Sequence, residues 1–296
     1  MRIVVTGRHG QVARSLHERA SAFGHELISI GRPELDLAGN PDSIVAAIGQ
    51  TLPDVVVSAA AFTKVDLAES QPNLAYMINE HGARAVARAA HELGASLIHL
   101  STDYVFDGAK AAAYTEQDEN SPMSVYGASK LAGEQAVLSE HDNTVVLRTA
   151  WVYSPFGSNF VKTMLQMAAQ RSEIAVVSDQ KGNPTSALDI ADGIISIAEN
   201  LCAGATDEQV GVFHMTAAGE ASWAQFAEEV FQISHELGGP AANVKHIATA
   251  DYPTAARRPA NSSLECGKLA RVHGIRLPEW RSSLNGVVDR LIRSGA

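Results

Sequence analysis

Tyr126 and Lys130 stand four residues apart in the run Tyr126-Gly127-Ala128-Ser129-Lys130. In a helix that spacing puts both on one face, about one turn apart. A free phenol titrates near ~10 and is a poor acid or base at neutral pH. An ammonium beside it favours the phenolate and draws that value down toward the working range. Such a pair can pass a proton to or from a substrate oxygen. The same spacing also fits an ordinary tyrosine and a solvated lysine on an amphipathic helix, so the elements around the pair have to decide.

Those elements come in an informative order. Ile3-Val4-Val5 reads as a buried parallel strand. It runs into Thr6-Gly7-Arg8-His9-Gly10-Gln11-Val12-Ala13 and then a helix to about Phe23. Glycine in this turn lets the backbone approach a pyrophosphate, and the helix N-terminus adds amide donors and a positive dipole end. Ala13, at the third position, is small enough for close helix–strand packing. Gly7, Gly10, Gln11 and Val12 are therefore expected at a dinucleotide.

The second strand, about residues 26–30, ends in Gly31-Arg32-Pro33. An acidic residue there would bind the ribose hydroxyls of NAD, whereas an arginine accepts the 2′-phosphate of NADP. Arg32 favours NADPH, with NADH as the alternative, and Asp36 and Leu37 follow where they could flank the adenine. A third strand, about 54–61, ends in small residues and places Ala61, Phe62 and Thr63 beside the cofactor. Residues 72–93 read as one long helix carrying Asn79, and residues 96–100 as a fourth strand ending at Ser101-Thr102-Asp103. Alternation of strands and helices predicts an α/β fold, a Rossmann-like doubly wound parallel sheet with right-handed crossovers. Ligands on such sheets sit at the carboxyl ends of the strands. That rule gathers Gly7, Gly10, Ala61, Thr102 and the Tyr126 helix around one crevice.

Composition narrows the partners. The chain has 296 residues, 46% hydrophobic and 19% charged, which suits a folded domain with a substantial core. A net charge of −10 argues against a generic nucleic-acid binder. Two cysteines in no metal or redox spacing, with no secretory pattern at the start, lead to the expectation of a cytoplasmic protein. No apolar run is long enough to span a membrane. Eleven histidines form no metal-ligand motif, and His99, inside a strand, reads as packed rather than catalytic.

Several longer strings carry a resemblance. Gly7-x-x-Gly10, Ser101-Thr102 and Tyr126-x-x-x-Lys130 resemble an extended short-chain dehydrogenase/reductase. Ser101-Thr102-Asp103-Tyr104-Val105-Phe106, Lys130-Leu131-Ala132-Gly133-Glu134, Arg148-Thr149-Ala150-Trp151-Val152-Tyr153, the Asn159 to Leu165 string and Arg257-Arg258-Pro259-x-Asn261-Ser262 resemble the dTDP-4-dehydrorhamnose reductase family. The resemblance runs over nearly the whole chain. It implies NADPH-dependent hydride transfer to C4 of a 4-keto-6-deoxy sugar on thymidine diphosphate, giving dTDP-L-rhamnose for cell-surface polysaccharide. It implies Tyr126 as proton donor, Lys130 as its activator and holder of the nicotinamide ribose, and Thr102 as hydrogen-bond donor to the keto oxygen. Asp103, Trp151, Asn159 and at least one of Arg257 and Arg258 would meet the substrate. Some members pair subunits through a carboxylate-held metal; Ala13-Arg14-Ser15 and Ser186-Ala187-Leu188 stand where those ligands would be, so no metal site and no metal-bridged dimer are expected. Two other readings use the same fold: a non-catalytic cofactor-binding regulatory subunit, resembling that of methionine adenosyltransferase, and a reductase or epimerase of another nucleotide sugar.

Beyond residue 155 the alternation loosens. Residues 1–155 are expected to form the cofactor domain, with 185–220 returning to it, while 156–184 and 221–296 build a smaller C-terminal α/β substrate lobe. Two adjacent guanidinium groups at Arg257 and Arg258 suit a diphosphate, since each can form paired hydrogen bonds.

Overall fold

The computed structural model describes residues 1–294. Five strands, β1 (Arg2–Thr6), β2 (Glu26–Ile30), β3 (Val55–Ser58), β4 (Ser96–Thr102) and β5 (Thr144–Thr149), are joined by a sixth, β6 (Gly211–His214). They form one sheet in the order β6-β5-β4-β3-β1-β2, and every pairing is parallel. β1, β3, β4 and β5 are rich in Val, Ile and Leu and buried along almost their whole length, as a sheet covered on both faces requires, while the edge strand β2 is largely half-exposed. Ile3 and Val5 of β1 and Val55 and Val57 of β3 face one layer of helices; Val4 and Val56 between them face the other.

The first layer is α1 (Gln11–Ala20) packed beside a later helix, Ala187–Cys202, through Leu16, Ile190 and Ile194. The second layer begins with α2 (Pro41–Gly49), where Asn40 caps the helix by accepting from the Asp42 N–H and proline stands at its start. The segment from 65 to 93 differs from the single long helix expected from residue 72. It is broken into α3 (Val65–Ser70), α4 (Pro72–Tyr76), a π-helical turn at Met77–Gly82 and α5 (Ala83–Leu93). The π turn carries Asn79, which is buried and fully engaged, and such bulges are common where a helix must re-aim a side chain.

α6 (Val125–Glu140) completes this layer. Ser124 caps it by accepting from the Gly127 N–H at 3.2 Å, which fixes Tyr126 in the first turn. Two glycines let α6 come close: a Cβ at Gly127 would collide with the Tyr104 carbonyl, and one at Gly133 with the Asn79 carbonyl.

A second apolar cluster forms around α7 (Phe160–Ala168), α9 (Trp223–Glu236) and α11 (Trp280–Arg293), α8 being Ala187–Cys202 and α10 Gly267–His273. Here the strand Glu173–Val177 pairs in parallel with Asn243–Ile247. Trp280, Phe226 and Tyr153 are its largest fully buried side chains. No helix among the described residues is long and apolar enough to cross a membrane.

Candidate active site

Strand order reverses between β1, which leads to β2 on one side, and β3, which lies on the other. A crevice must open there at the strands' carboxyl ends. The cleft found has a volume of about 810 Å³. Gly7, Gly10, Gln11, Val12, Arg32, Asp36, Leu37, Ala61 and Thr63 line one part of it, and Thr102, Asp103, Tyr126, Lys130, Trp151 and Asn159 the other.

The glycine turn has the features an anion needs. Gly7 sits at φ +96°, a left-handed conformation, with its missing Cβ directed at Ala60. Gly10 precedes α1 without any side-chain cap, so no side chain claims the amides of the first turn. Those amides and the helix dipole can hold a pyrophosphate. Arg32 lies at the cleft wall, and so does Arg8 from the turn, which the sequence reading did not single out. Arg8 donates to the Arg32 carbonyl at 3.4 Å and pairs with Glu34 at 2.9 Å. The only advance signal for it was its basic character inside a phosphate-type turn.

Phe62, between Ala61 and Thr63, is engaged through its backbone. It is not among the residues of the cleft wall. Its N–H donates to Asn79 Oδ1 at 2.8 Å and its carbonyl accepts from Asn79 Nδ2 at 3.1 Å. The same amide donates to Ser129 Oγ at 2.9 Å, and Ser129 donates to the Tyr126 carbonyl at 2.8 Å. Asn79 thus ties the loop after β3 to the first turn of α6.

Thr102 ends β4, and in register it lies opposite Thr149 of β5. Its Oγ1 donates to Asp103 Oδ1 at 2.9 Å and accepts from the Tyr104 N–H at 3.2 Å. Asp103 is 2% exposed, its Oδ2 has no partner, and burial pushes the carboxyl up to about 6 against the hydrogen bond from Thr102. The Thr149 hydroxyl at the cleft wall is also without a partner. Buried groups of this kind are satisfied in most native structures, and both are available to a ligand.

Tyr126 packs edge-on against Tyr104 with ring centroids 5.7 Å apart. The expected lowering of its phenol by Lys130 is absent here. Burial pushes Tyr126 up to about 12, with the neighbouring Thr102 hydroxyl opposing and the Asp103 charge reinforcing. Lys130 is 3% exposed, donates to the Leu100 carbonyl and lies 3.4 Å from His99 Nε2. Burial brings it down to about 8, and Glu134 holds it up. The His99 ring is held neutral by burial and by the Lys130 charge. To accept from Lys130 at Nε2 it must carry its proton on Nδ1, toward Ser58 Oγ at 3.1 Å. His99 is packed, as its place inside a strand suggested.

Beneath Lys130 lies an ion pair that sequence spacing could not reveal. Arg148 Nη2 meets Glu134 Oε2 at 2.7 Å, with side chains 3% and 2% exposed. Ser101 donates to the same carboxylate. This network joins β4, β5 and α6 directly below Thr102 and Lys130.

Gln11 and Asn159 are coupled: Gln11 Oε1 accepts from Asn159 Nδ2 at 3.0 Å and from Ser154 Oγ at 2.8 Å. Arg257 and Arg258 stand apart from the cleft wall. Arg257 is exposed. Arg258 pairs with Asp66 at 2.8 Å, which holds it charged, and it adjoins Tyr104 at the rim.

A doubly wound parallel sheet with a glycine turn at its switch point and a threonine, tyrosine and lysine at the adjoining strand and helix ends defines a protein of the short-chain dehydrogenase/reductase class. A family model described as the RmlD substrate binding domain matches residues 1–293. The dTDP-4-dehydrorhamnose reductase of Sinorhizobium fredii (strain NBRC 101917 / NGR234) is 48% identical over 295 residues, 100% of this chain and 99% of that protein. Among solved structures, a dTDP-4-dehydrorhamnose reductase from Clostridium acetobutylicum has a TM-score of 0.91 at 36% identity, covering 99% of this chain and 100% of that one. The enzyme of that name from Bacillus anthracis, in complex with NADP, has a TM-score of 0.88 at 35% identity over 97% and 98%. The chain belongs to the dTDP-4-dehydrorhamnose reductase family.

Proposed function

We propose that this chain reduces dTDP-4-dehydro-β-L-rhamnose to dTDP-L-rhamnose, with NADPH as reductant and Tyr126 as proton donor. The observation that carries the reading is a single cleft lined by the glycine turn, Thr102, Tyr126 and Lys130. Reduced nicotinamide supplies the hydride. The chain's own residues bind, orient and protonate. Thr102 and Tyr126 donate toward the oxygen on which negative charge builds, where fixed donors act most strongly. A phenol raised by burial stays protonated at neutral pH, which is the form a proton donor needs. Lys130 holds the ribose and supplies positive charge beside it. Asp103, Trp151 and Asn159 meet the sugar nucleotide, together with at least one of Arg257 and Arg258. Arg32 selects the 2′-phosphate, so NADPH is preferred over NADH.

Residues 1–155 with 185–220 form the cofactor domain in this reading and the rest the substrate lobe; most of the two largest apolar clusters on either side follow that division, while Leu269 packs with the first and Tyr153 and Ala217 with the second. Two free cysteines, Cys202 and Cys266, support a cytoplasmic place of action. The test follows absorbance of NADPH with the 4-keto sugar nucleotide. Wild type turns over and Tyr126→Phe loses on the order of a hundredfold or more. Absence of turnover by wild type would leave the regulatory-subunit reading in its place.

A further inference from the structure

Trp151 has an unusual backbone. Its φ is +46°, a left-handed value that a bulky side chain adopts only when its surroundings impose it. It lies two residues beyond Thr149, the register partner of Thr102, so its indole stands at the reacting end of the sheet. What imposes the conformation is visible. The indole lies flat on that of Trp223, ring centroids 3.6 Å apart and planes 5° from parallel. Gly182 faces its Cε2 and Nε1, and a Cβ there would overlap them.

These two restraints are themselves linked. Gly182 pairs with Ala221 in a short antiparallel ladder, two residues before Trp223. Ser222 and Gln225 cap each other's backbone at the start of α9, which fixes where Trp223 emerges. Phe160, also at the cleft wall, packs against Trp223 at 4.7 Å. Trp223 is therefore a rigid wall built by the second apolar cluster and delivered to a cleft built by the first.

We infer that Trp223 is a positioning residue for the sugar ring, fixing the plane of Trp151 so that the stacked pair acts as one aromatic wall. The inference rests on the reductase reading above, in which Trp151 meets the nucleotide sugar. An aromatic face is a good surface for the C–H face of a pyranose, and stacking with a second ring adds to its rigidity. Trp223 takes no part in holding the dinucleotide or in proton transfer.

The test uses the full chain and its Trp223→Leu and Trp223→Phe variants. Two stacked indoles couple excitonically and give a paired band in circular dichroism; Trp280 lies in the same apolar cluster, and a Trp280→Phe control measures its share of the band. Dissociation constants are measured for dTDP-L-rhamnose, dTDP and NADPH. The expected result is loss of the paired band in Trp223→Leu, with dTDP-L-rhamnose bound about tenfold more weakly. Binding of dTDP and NADPH stays at the wild-type level, and Trp223→Phe falls between. A folded Trp223→Leu with unchanged affinity for dTDP-L-rhamnose, or with dTDP or NADPH weakened equally, overturns the inference. Should Trp223→Leu fail to fold, the wild-type paired band decides: it must change on adding dTDP-L-rhamnose and stay unchanged on adding dTDP. Failure of wild type to bind dTDP-L-rhamnose at all counts against the substrate reading, and the inference falls with it; wild-type binding with an indifferent variant sinks this inference alone.

Discussion

Replacing Asp103 with asparagine should make the protein more stable at neutral pH while slowing the reaction. The carboxyl is 2% exposed and one of its oxygens has no partner. Burial raises it from 3.8 to about 6. The folded state therefore holds this proton more tightly than the unfolded chain does, so the contribution is fully favourable below about pH 4 and is lost as pH rises through about 6. Above that the folded protein carries a penalty of about two pKa units, or about 3 kcal/mol. Asparagine keeps the shape and one acceptor for Thr102 but has no charge to desolvate. Urea unfolding from pH 8 to pH 4.5 reads the effect. Asp103→Asn should exceed wild type by about 2–3 kcal/mol at pH 8, and the gap should shrink by about 2 kcal/mol at pH 4.5. A gap that does not move with pH, or a variant less stable than wild type at pH 8, would refute the argument. The activity loss belongs to the proposed role of Asp103 at the substrate, where a carboxyl beside Thr102 would meet the sugar at a cost to stability.

Three further outcomes follow from the geometry. Arg148→Met leaves Glu134 buried without its cation, a cost of about 3–5 kcal/mol, which calorimetry should show as a fall in Tm of roughly 5–8 °C. Adding Glu134→Leu should recover most of it; no fall in the single variant would mean that water reaches the carboxylate. Arg32→Ala should raise KM for NADPH on the order of tenfold with little change for NADH, and equal effects on the two cofactors would defeat the phosphate assignment. Lys130 loses its proton as pH rises through about 8, so kcat/KM should decline above that pH while Tyr126 stays protonated; a flat profile to pH 10 would contradict the role of the ammonium.

Much of the frame was legible because each strand carries its burial in its composition. Val55 to Val57 reads as a strand covered on both sides and is buried as one, and a glycine turn directly after Ile3-Val4-Val5 reads as the opening of a helix at the sheet's end. The illegible parts arise from contacts between distant segments. Nothing local to residues 72–93 announces a π turn, or that Asn79 within it binds both Phe62 and Ser129. The same amide takes up the Phe62 backbone. Glu134 and Arg148 form a pair only once β5 lies beside β4. Spacing reveals a lysine beside Tyr126 but neither the burial that raises the phenol nor that the Leu100 carbonyl and His99 engage the ammonium.

One measurement bears most directly on the whole account. NADPH carrying deuterium at both positions of nicotinamide C4 is incubated with dTDP-4-dehydrorhamnose, and the product is read by NMR. One deuterium should appear at C4 of the rhamnose with wild type, and almost none in the same time with Tyr126→Phe. Product lacking the label at C4, or labelled at the wild-type rate by Tyr126→Phe, would contradict hydride transfer coupled to a proton from this tyrosine.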